Sequence, residues 1–391
     1  MSHYKFLCIK NFLKYVVYFY CYCFLVSSAV SQNYDPYLDS LKNATSGDDS
    51  VFYLNELAWN YRIKAPDSAI QFSEMAYQLA FKYNNLQGKS TSLVRMAGIL
   101  ERADRLEESI IKYQESLQIE KKLVDDKGIG RASAGLCKIF RKLHQFDSSI
   151  YYGKVSLESY KKINEKTTLA RSHGRLALAY QKKGEFEESV GHYLKSIDLK
   201  EAIKDSIGTA IGYSNLASFY IDIKGFRQSI LYSKKALRYF EKLNLKSNEA
   251  KVQTNQAIAN EKLGNYDQAI EFHKRSISIK EETQNSEDVA ANYLNLGNLY
   301  YSLMEYEESK LYYLKCLKIS EKEGLDQRLH RLLLNLGHVY RVLGEPDKAI
   351  IEYEKGLNLV KESGSRLVMQ EYYSSLGETY GAHNNYEKAY A

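Results

Sequence analysis

The chain has 391 residues, of which 26% are charged, 45% are hydrophobic and only 3 are proline. Its formal net charge is +6, and Lys5, Lys10 and Lys14 lie in residues 1–31, which contain no acid, so the remainder carries +6 − 3 = +3. So small a charge gives no reason to expect binding to nucleic acid or to a membrane surface. The scarcity of proline and of alternating β-branched residues argues against extensive sheet.

The segment 1–31 has the pattern of a secretory signal peptide. Three lysines precede an apolar run from Tyr15 to Val26, and small residues ending at Ser31 follow it. This run is shorter than the roughly twenty residues that a membrane-spanning helix needs. We therefore predict cleavage after Ser31 and a periplasmic or secreted protein. The alternative is an uncleaved N-terminal membrane anchor starting near Phe12.

Residues 32–50 are polar and are predicted to form a linker, with one turn of helix at residues 37–41. Three of the five cysteines fall within the signal segment. The other two, Cys137 and Cys316, lie in repeats more than four units apart. We predict that both are buried free thiols rather than partners in a disulfide.

From residue 51 to residue 391 the sequence repeats every forty residues without an insertion. In each unit a short polar turn separates two segments with helical periodicity. The first segment carries leucine, a small residue and a ring, as in Leu296, Gly297 and Tyr300, and the second ends at a residue such as Gly324, where a left-handed cap is favourable. The residues that follow the turn are Pro66, Leu106, Phe146, Phe186, Phe226, Tyr266, Tyr306, Pro346 and Tyr386. The pattern predicts an all-α solenoid of about nine 40-residue helix-turn-helix repeats.

These residues resemble the consensus of the tetratricopeptide repeat (TPR) family. The match rests on Leu296, Gly297, Tyr300, Ser309 and Cys316 and recurs along the whole array. The resemblance implies a right-handed superhelical solenoid whose first helices line a concave groove that binds extended peptides or partner helices. The unit is longer than is usual for the family, and we expect the extra length in the second helix and the loop after it.

The two ends of the array depart from this pattern. In the first unit Leu57, Ala58 and Tyr61 come one residue late, and Trp59 lies among them. Together with the signal segment, this unit resembles the secreted TPR sensor regions of bacterial histidine kinases and regulators. The ninth unit is incomplete at Ala391. We expect a fragment of a longer signalling protein, the alternative being that the last helices fray.

One face of each first helix is free to bind a ligand. Four positions spaced four, three and four residues apart share a helix face that is distinct from the leucine, small-residue and ring positions. In the second to fourth repeats this face carries eight cations and no acid, which predicts an acidic ligand segment; the alternative is an ordinary solvated helix face. The eight cations are Arg95, Arg102, Arg131, Lys138, Lys142, Arg171, Arg175 and Lys182.

In the fifth to eighth repeats the same face carries asparagine at one equivalent position: Asn215, Asn255, Asn295 and Asn335. Asn298 and Lys262 lie on the same face. Because an amide both donates and accepts hydrogen bonds, a row of asparagines suits the main chain of an extended peptide. The alternative is that these asparagines are consensus residues that cap or bridge neighbouring helices.

No catalytic constellation is recognisable in the sequence. The histidines have no metal-binding spacing, and no nucleophile elbow or phosphate-binding loop occurs. We therefore predict no enzyme activity, no metal and no cofactor. The predicted function is an exported scaffold that binds an extended, acidic peptide or protein segment. The alternative is the extracytoplasmic sensory region of a membrane histidine kinase or transcriptional regulator, with a membrane-anchored signalling partner. RNA binding is disfavoured, because the basic face lacks aromatic residues for base stacking.

Overall fold

The computed structural model describes residues 36–283, 285–324, 326–363 and 365–382. The predicted signal peptide and the second helix of the ninth repeat lie outside these residues. Every regular element within them is an α-helix, which confirms the all-α class. None of these helices combines the length and apolar character needed to cross a bilayer.

A short helix, α1 (Pro36–Lys42), precedes an alternating series of first and second helices. The first helices are α2 (Gly47–Tyr61), α4 (Leu86–Arg102), α6 (Asp126–Lys142), α8 (Lys166–Lys183), α10 (Ser206–Asp222), α12 (Lys246–Lys262), α14 (Ser286–Ser302), α16 (Asp326–Val342) and α18 (Arg366–Ala382). The second helices are α3 (Pro66–Lys82), α5 (Leu106–Leu123), α7 (Phe146–Lys162), α9 (Phe186–Ala202), α11 (Phe226–Lys242), α13 (Tyr266–Glu282), α15 (Tyr306–Glu323) and α17 (Pro346–Ser363). The predicted pairing of helices is confirmed.

From α3 onward, first and second helices begin at intervals of 20 residues, so each helix and the link after it have the same combined length. A residue with left-handed backbone closes each helix from α3 onward wherever the link is described, at Asn84, Asp104, Val124, His144, Asn164, Gly184, Lys204, Lys224, Asn244, Gly264, Met304, Gly324 and Gly344. The predicted cap at Gly324 is confirmed, with φ of 65°. The expectation that the second helix and its loop hold all the extra length is wrong, because both halves of the unit have the same spacing.

Helix pairs are held together by the small residues that recur in every repeat. In α14 and α15, Leu296 is fully buried, and the ring of Tyr313 lies where a side chain on Gly297 would be, 2.4 Å from an added Cβ atom. The Ser309 hydroxyl donates to the Gly297 carbonyl oxygen at 2.8 Å. Equivalent bonds join Ser109 to Ala97, Ser149 to Cys137 and Ser189 to Ala177. The small residues therefore permit close packing, and the serines also satisfy a helix carbonyl.

The described residues fall into two units, with the division between Leu199 and Lys200. The core of the first unit begins earlier than the predicted linker implies. Within residues 32–50, Leu41 of α1 is 5% exposed and packs on the first helix pair, and α2 already begins at Gly47, behind an N-cap at Ser46. Helix α1 forms there because its apolar residues can be buried. Cys137 and Cys316 are both buried and neither forms a disulfide, as predicted.

Candidate functional site

The four-position face of the first helices remains accessible in the folded chain, and we call it the first-helix face. In α8, Arg171 and Lys182 are exposed and Arg175 is half-buried. The packing residues between them, Leu176 and Ala177, are fully buried. The helical spacing therefore separates two functions on one helix, with packing on one side and a surface open to a ligand on the other.

Neighbouring acids neutralise half of the predicted basic stripe. Lys138 and Lys142 both contact the Glu101 carboxylate, at 2.8 and 3.2 Å. The Glu101 side chain is only 7% exposed, so these contacts are less screened by water than surface pairs. The stripe is therefore not a row of unpaired cations.

The other paired cations of the stripe are arginines. Arg95 contacts Glu56 at 3.0 Å, and Arg131 contacts Glu120 at 3.4 Å. Glu120 is fully buried, and burial raises the pKa of its carboxyl group. Glu56, Glu101 and Glu120 all lie outside the four positions that were counted, on the adjacent helix face or on a second helix. This is why the sequence pattern did not reveal them.

The three stripe cations of α8 remain available. Arg171, Arg175 and Lys182 form no ion pair with any carboxylate in the part of the chain that the structure describes, and the same is true of Arg102 in α4. The three α8 residues lie within about three turns of one helix, or roughly 16 Å along its axis. We call them the α8 cluster. Together with Arg102, they can still pair with a ligand carboxylate.

The asparagines divide into two groups. Asn335 Nδ2 donates to Asn298 Oδ1 at 2.9 Å, and that oxygen also accepts from the Tyr313 hydroxyl at 2.7 Å. Asn255 Nδ2 donates to the Ser218 hydroxyl at 2.9 Å, again across 37 positions of sequence. These side chains bridge consecutive first helices, which is the alternative that the sequence left open. The sequence signal that could have identified these bridges is a polar residue 37 positions before the asparagine, on the preceding first helix.

Asn215 and Asn295 differ from these bridging asparagines. Both are half-buried on the first-helix face, and neither amide has a hydrogen-bond partner among the described residues. Their amides therefore remain free to pair with a ligand. Lys262, also predicted as a site residue, is exposed and contacts Glu261 of its own helix at 2.8 Å.

An aromatic and apolar cluster at the start of the first-helix face was missed. Because the first repeat is shifted by one residue, its ligand-facing positions include Phe52 and Trp59 of α2 and Ile63 just after it, with exposures of 56, 44 and 63%. The guanidinium groups of Arg62 and Arg95 lie 3.6 and 4.5 Å from the Trp59 ring centroid. We call Phe52, Trp59 and Ile63 the Trp59 cluster. The one-residue shift of Leu57, Ala58 and Tyr61 is the sequence signal that identifies these exposed residues.

Two histidines that are distant in sequence meet between α8 and α9. The Nδ1 atoms of His173 and His192 are 2.8 Å apart, and burial lowers the pKa of each ring to about 4. In another repeat the same two positions hold Tyr293 and Tyr312, which also contact each other. The histidine pair is therefore a variant of a ring contact in the core. No cluster of three metal-binding side chains occurs among the described residues.

Sequence profiles described as tetratricopeptide repeat match residues 168–242, 248–322 and 330–359. No curated protein matches the chain. The comparison with solved structures identifies several chains with a similar fold. One is a STAND signal-transduction ATPase with a tetratricopeptide repeat sensor from Pyrococcus horikoshii, with a TM-score of 0.62 and 16% identity over 84% of this chain and 51% of that one.

Two further structures cover most of both chains. The apo form of the quorum sensor NprR from B. thuringiensis has a TM-score of 0.59 and 18% identity over 83% of this chain and 91% of its own. Aspartyl phosphate phosphatase F from Bacillus subtilis has a TM-score of 0.55 and 17% identity over 89 and 92%. At these identities the similarity establishes the fold.

Proposed function

Because the chain belongs to the tetratricopeptide repeat family, we propose that it is an exported, non-catalytic scaffold that binds an extended peptide or protein segment on its first-helix face. The observation that carries this proposal is the α8 cluster. Its two arginines and one lysine are accessible on one helix face without a carboxylate partner among the described residues. Charged groups held in this way favour a ligand that supplies the missing carboxylates.

In the N-terminal unit the proposed ligand has two features. An acidic stretch pairs with the α8 cluster, and an apolar side chain packs on the Trp59 cluster. Helices α2 and α8 are three repeats apart, or about 30 Å at roughly 10 Å per packed helix. An extended chain covers that distance in about nine residues at roughly 3.3 Å each. We therefore expect an apolar residue and an acidic stretch separated by about nine positions.

In the C-terminal unit the ligand main chain is held by Asn215 and Asn295. These asparagines are two repeats apart, or about 20 Å, which corresponds to about six extended residues. An amide recognises any peptide unit, so this part of the face contributes affinity with little preference for ligand side chains. The bridging residues Asn255, Asn298 and Asn335 instead support the geometry of the face.

Binding is tested with a phage-displayed library of random peptides, selected on purified chain beginning at Gln32. We expect enriched peptides to be acidic, and simultaneous reversal of Arg171, Arg175 and Lys182 to Glu to weaken their binding by at least a hundredfold. The reason is that hydrogen bonds to charged groups contribute about 1.5–3 kcal/mol each. Reversal of Lys121, Lys122 and Lys195, exposed lysines on second helices, is the control with the same change in charge. Equal loss in both triple variants would contradict the proposal.

Export depends on residues 1–31. We propose that this segment is cleaved after Ser31, so mass spectrometry of the protein from its native host should find Gln32 at the N-terminus. An intact Met1 with membrane fractionation would instead support the uncleaved anchor.

A sensory role is the second candidate, and it is favoured by the two structural neighbours that are described as sensors. In that case the ligand site would be the same, and its occupancy would be transmitted to a kinase or regulator. The gene sequence beyond the codon for Ala391 tests this candidate. A hydrophobic segment of about twenty residues followed by an output domain would support it, and a stop codon would exclude it.

A further inference from the structure

Four repeats contain the same stacked pair of rings. The first ring lies near the end of a first helix, and the second ring follows it by twelve residues on the second helix of the same repeat. Centroid distances are 5.3–5.5 Å and the rings are within 17° of parallel. The pairs are Phe140–Tyr152, Tyr180–His192, Tyr220–Tyr232 and Tyr300–Tyr312. The stack therefore recurs at equivalent positions in the third, fourth, fifth and seventh repeats.

The sixth repeat has only one of these two rings. Phe272 of α13 holds the second position, but the first is occupied by Asn260. The Asn260 amide donates to the Gln256 carbonyl oxygen of its own helix at 2.8 Å. It also accepts a hydrogen bond from Asn265 at 3.2 Å. Phe272 is half-buried and has no stacked partner among the described residues.

A groove of about 480 Å³ lies where the missing ring would be. It is bounded by Phe272 and Asn260 on one side and by Ile230 and Lys234 of the preceding second helix on the other. Its volume is within the range of small-ligand sites, roughly 300–1,000 Å³. None of its lining residues belongs to the first-helix face, so it is separate from the peptide site proposed above.

The positions of the charged groups around the groove also favour the binding of an aromatic ring. Lys154, on the second helix of the third repeat, lies 5.9 Å from the ring of Tyr180 on the first helix of the fourth repeat. Lys234 and Asn260 occupy the same two positions in the fifth and sixth repeats, so the Lys234 ammonium group lies where it could approach a ring in place of Asn260. Arg275 lies 5.9 Å from the Phe272 centroid and is paired with Glu271. A bound ring would gain a stacking contact and a cation–π contact.

From these observations we propose that the groove beside Phe272 binds the side chain of a tyrosine presented by a partner protein. The bound ring takes the position that Tyr220 and Tyr300 occupy in their own repeats. It stacks on Phe272, and its hydroxyl group points toward the polar rim formed by Lys234, Asn265 and Gln268. The site is a second recognition point on the side of the second helices.

The test uses the full mature chain and the tripeptide acetyl-Gly-Tyr-Gly-amide, with binding followed by saturation-transfer NMR. The control peptide carries cyclohexylalanine, which has similar bulk but no aromatic ring. We expect a dissociation constant of the order of millimolar for the tyrosine peptide. The control should bind about two- to tenfold more weakly, because aromatic pairing adds to the burial of area. Equal binding of the two peptides would overturn the proposal.

Two substitutions connect binding to this groove. Asn260→Tyr supplies the missing ring from the chain itself and should reduce tyrosine-peptide binding at least tenfold, while the helical circular dichroism stays unchanged. Tyr300→Asn creates the same vacancy in the next repeat beside Tyr312 and should add a second site of similar affinity. Unchanged binding by a folded Asn260→Tyr variant would overturn the proposal. If wild-type chain self-associates and this variant does not, the occupant is a second copy and the assignment to a partner is wrong.

Discussion

His273 makes the stability of the sixth repeat sensitive to acid. The side chain is fully buried, and neither ring nitrogen has a hydrogen-bond partner among the described residues. Burial, with a smaller contribution from the charge of Lys280, lowers the pKa of His273 to about 4. A histidine in the unfolded chain has a pKa of about 6.5. Protonation therefore favours the unfolded form of this region.

The magnitude follows from the difference between the two pKa values. Well above pH 6.5 the imidazole is neutral in both states, and the folded state has its full stability. As the pH falls, the unfolded state takes up the proton first, so the free energy of unfolding decreases until the folded pKa is reached. For one group the loss is about 2 kcal/mol at pH 5 and about 3 kcal/mol below pH 4.

Hydrogen exchange with mass spectrometry measures this effect locally, because the repeats of a solenoid can open separately. Between pH 7.5 and pH 5 we expect amides of α12 and α13 to lose about 30-fold in protection, after correction for intrinsic exchange rates. In His273→Gln the glutamine is uncharged at both pH values, so these amides should lose much less protection than in the wild type. Amides of α6 and α7 are the internal reference. A loss in His273→Gln equal to that in the wild type would refute the reasoning.

Three further changes test the packing and the links by urea denaturation. Val124 is 80% exposed and has a left-handed backbone with φ of 54°, so Val124→Gly should raise the free energy of unfolding by about 0.5–1 kcal/mol. The converse change Gly264→Val, at φ of 80° with no neighbour within 4 Å, should lower it by about 1–2 kcal/mol. Gly297→Ala should lower it by about 1–3 kcal/mol, because the new methyl group meets the Tyr313 ring. The control is Gly191→Ala inside α9, where the new methyl group meets no atom within 4 Å. This change should raise the free energy of unfolding by about 0.5–1 kcal/mol.

The helix pairs could be predicted because every unit repeats the same local signals. Leucine, a small residue and a ring recur at helical spacing. Because the period is strict, every unit is expected to form the same pair of helices. Gly324 could be recognised as a cap because glycine adopts left-handed backbone at little cost. The 20-residue interval was harder to see, since most of the left-handed positions hold other residues, including Val124 and Met304.

The candidate site could be predicted only in part, because its residues interact across helices. Periodicity identifies which side chains share a face, but it does not show what the adjacent helix presents to them. Lys138 and Lys142 share the face that their spacing predicts, yet Glu101, one repeat earlier, pairs with both. The bond of Asn335 to Asn298 likewise depends on the offset between consecutive first helices.

The sixth repeat departs from the repeat consensus of this chain at several positions. Gln256 and Asn260 replace a leucine and a ring, and both are almost fully buried. Lys280 of α13 is also buried, and desolvation lowers its pKa. Several side-chain atoms of this repeat, including both nitrogens of His273, have no partner among the described residues. Each unsatisfied polar group costs about 1–3 kcal/mol. Because a ligand that binds only the folded form stabilises it, a ring on Phe272 would increase protection in the repeat that contains these unsatisfied groups.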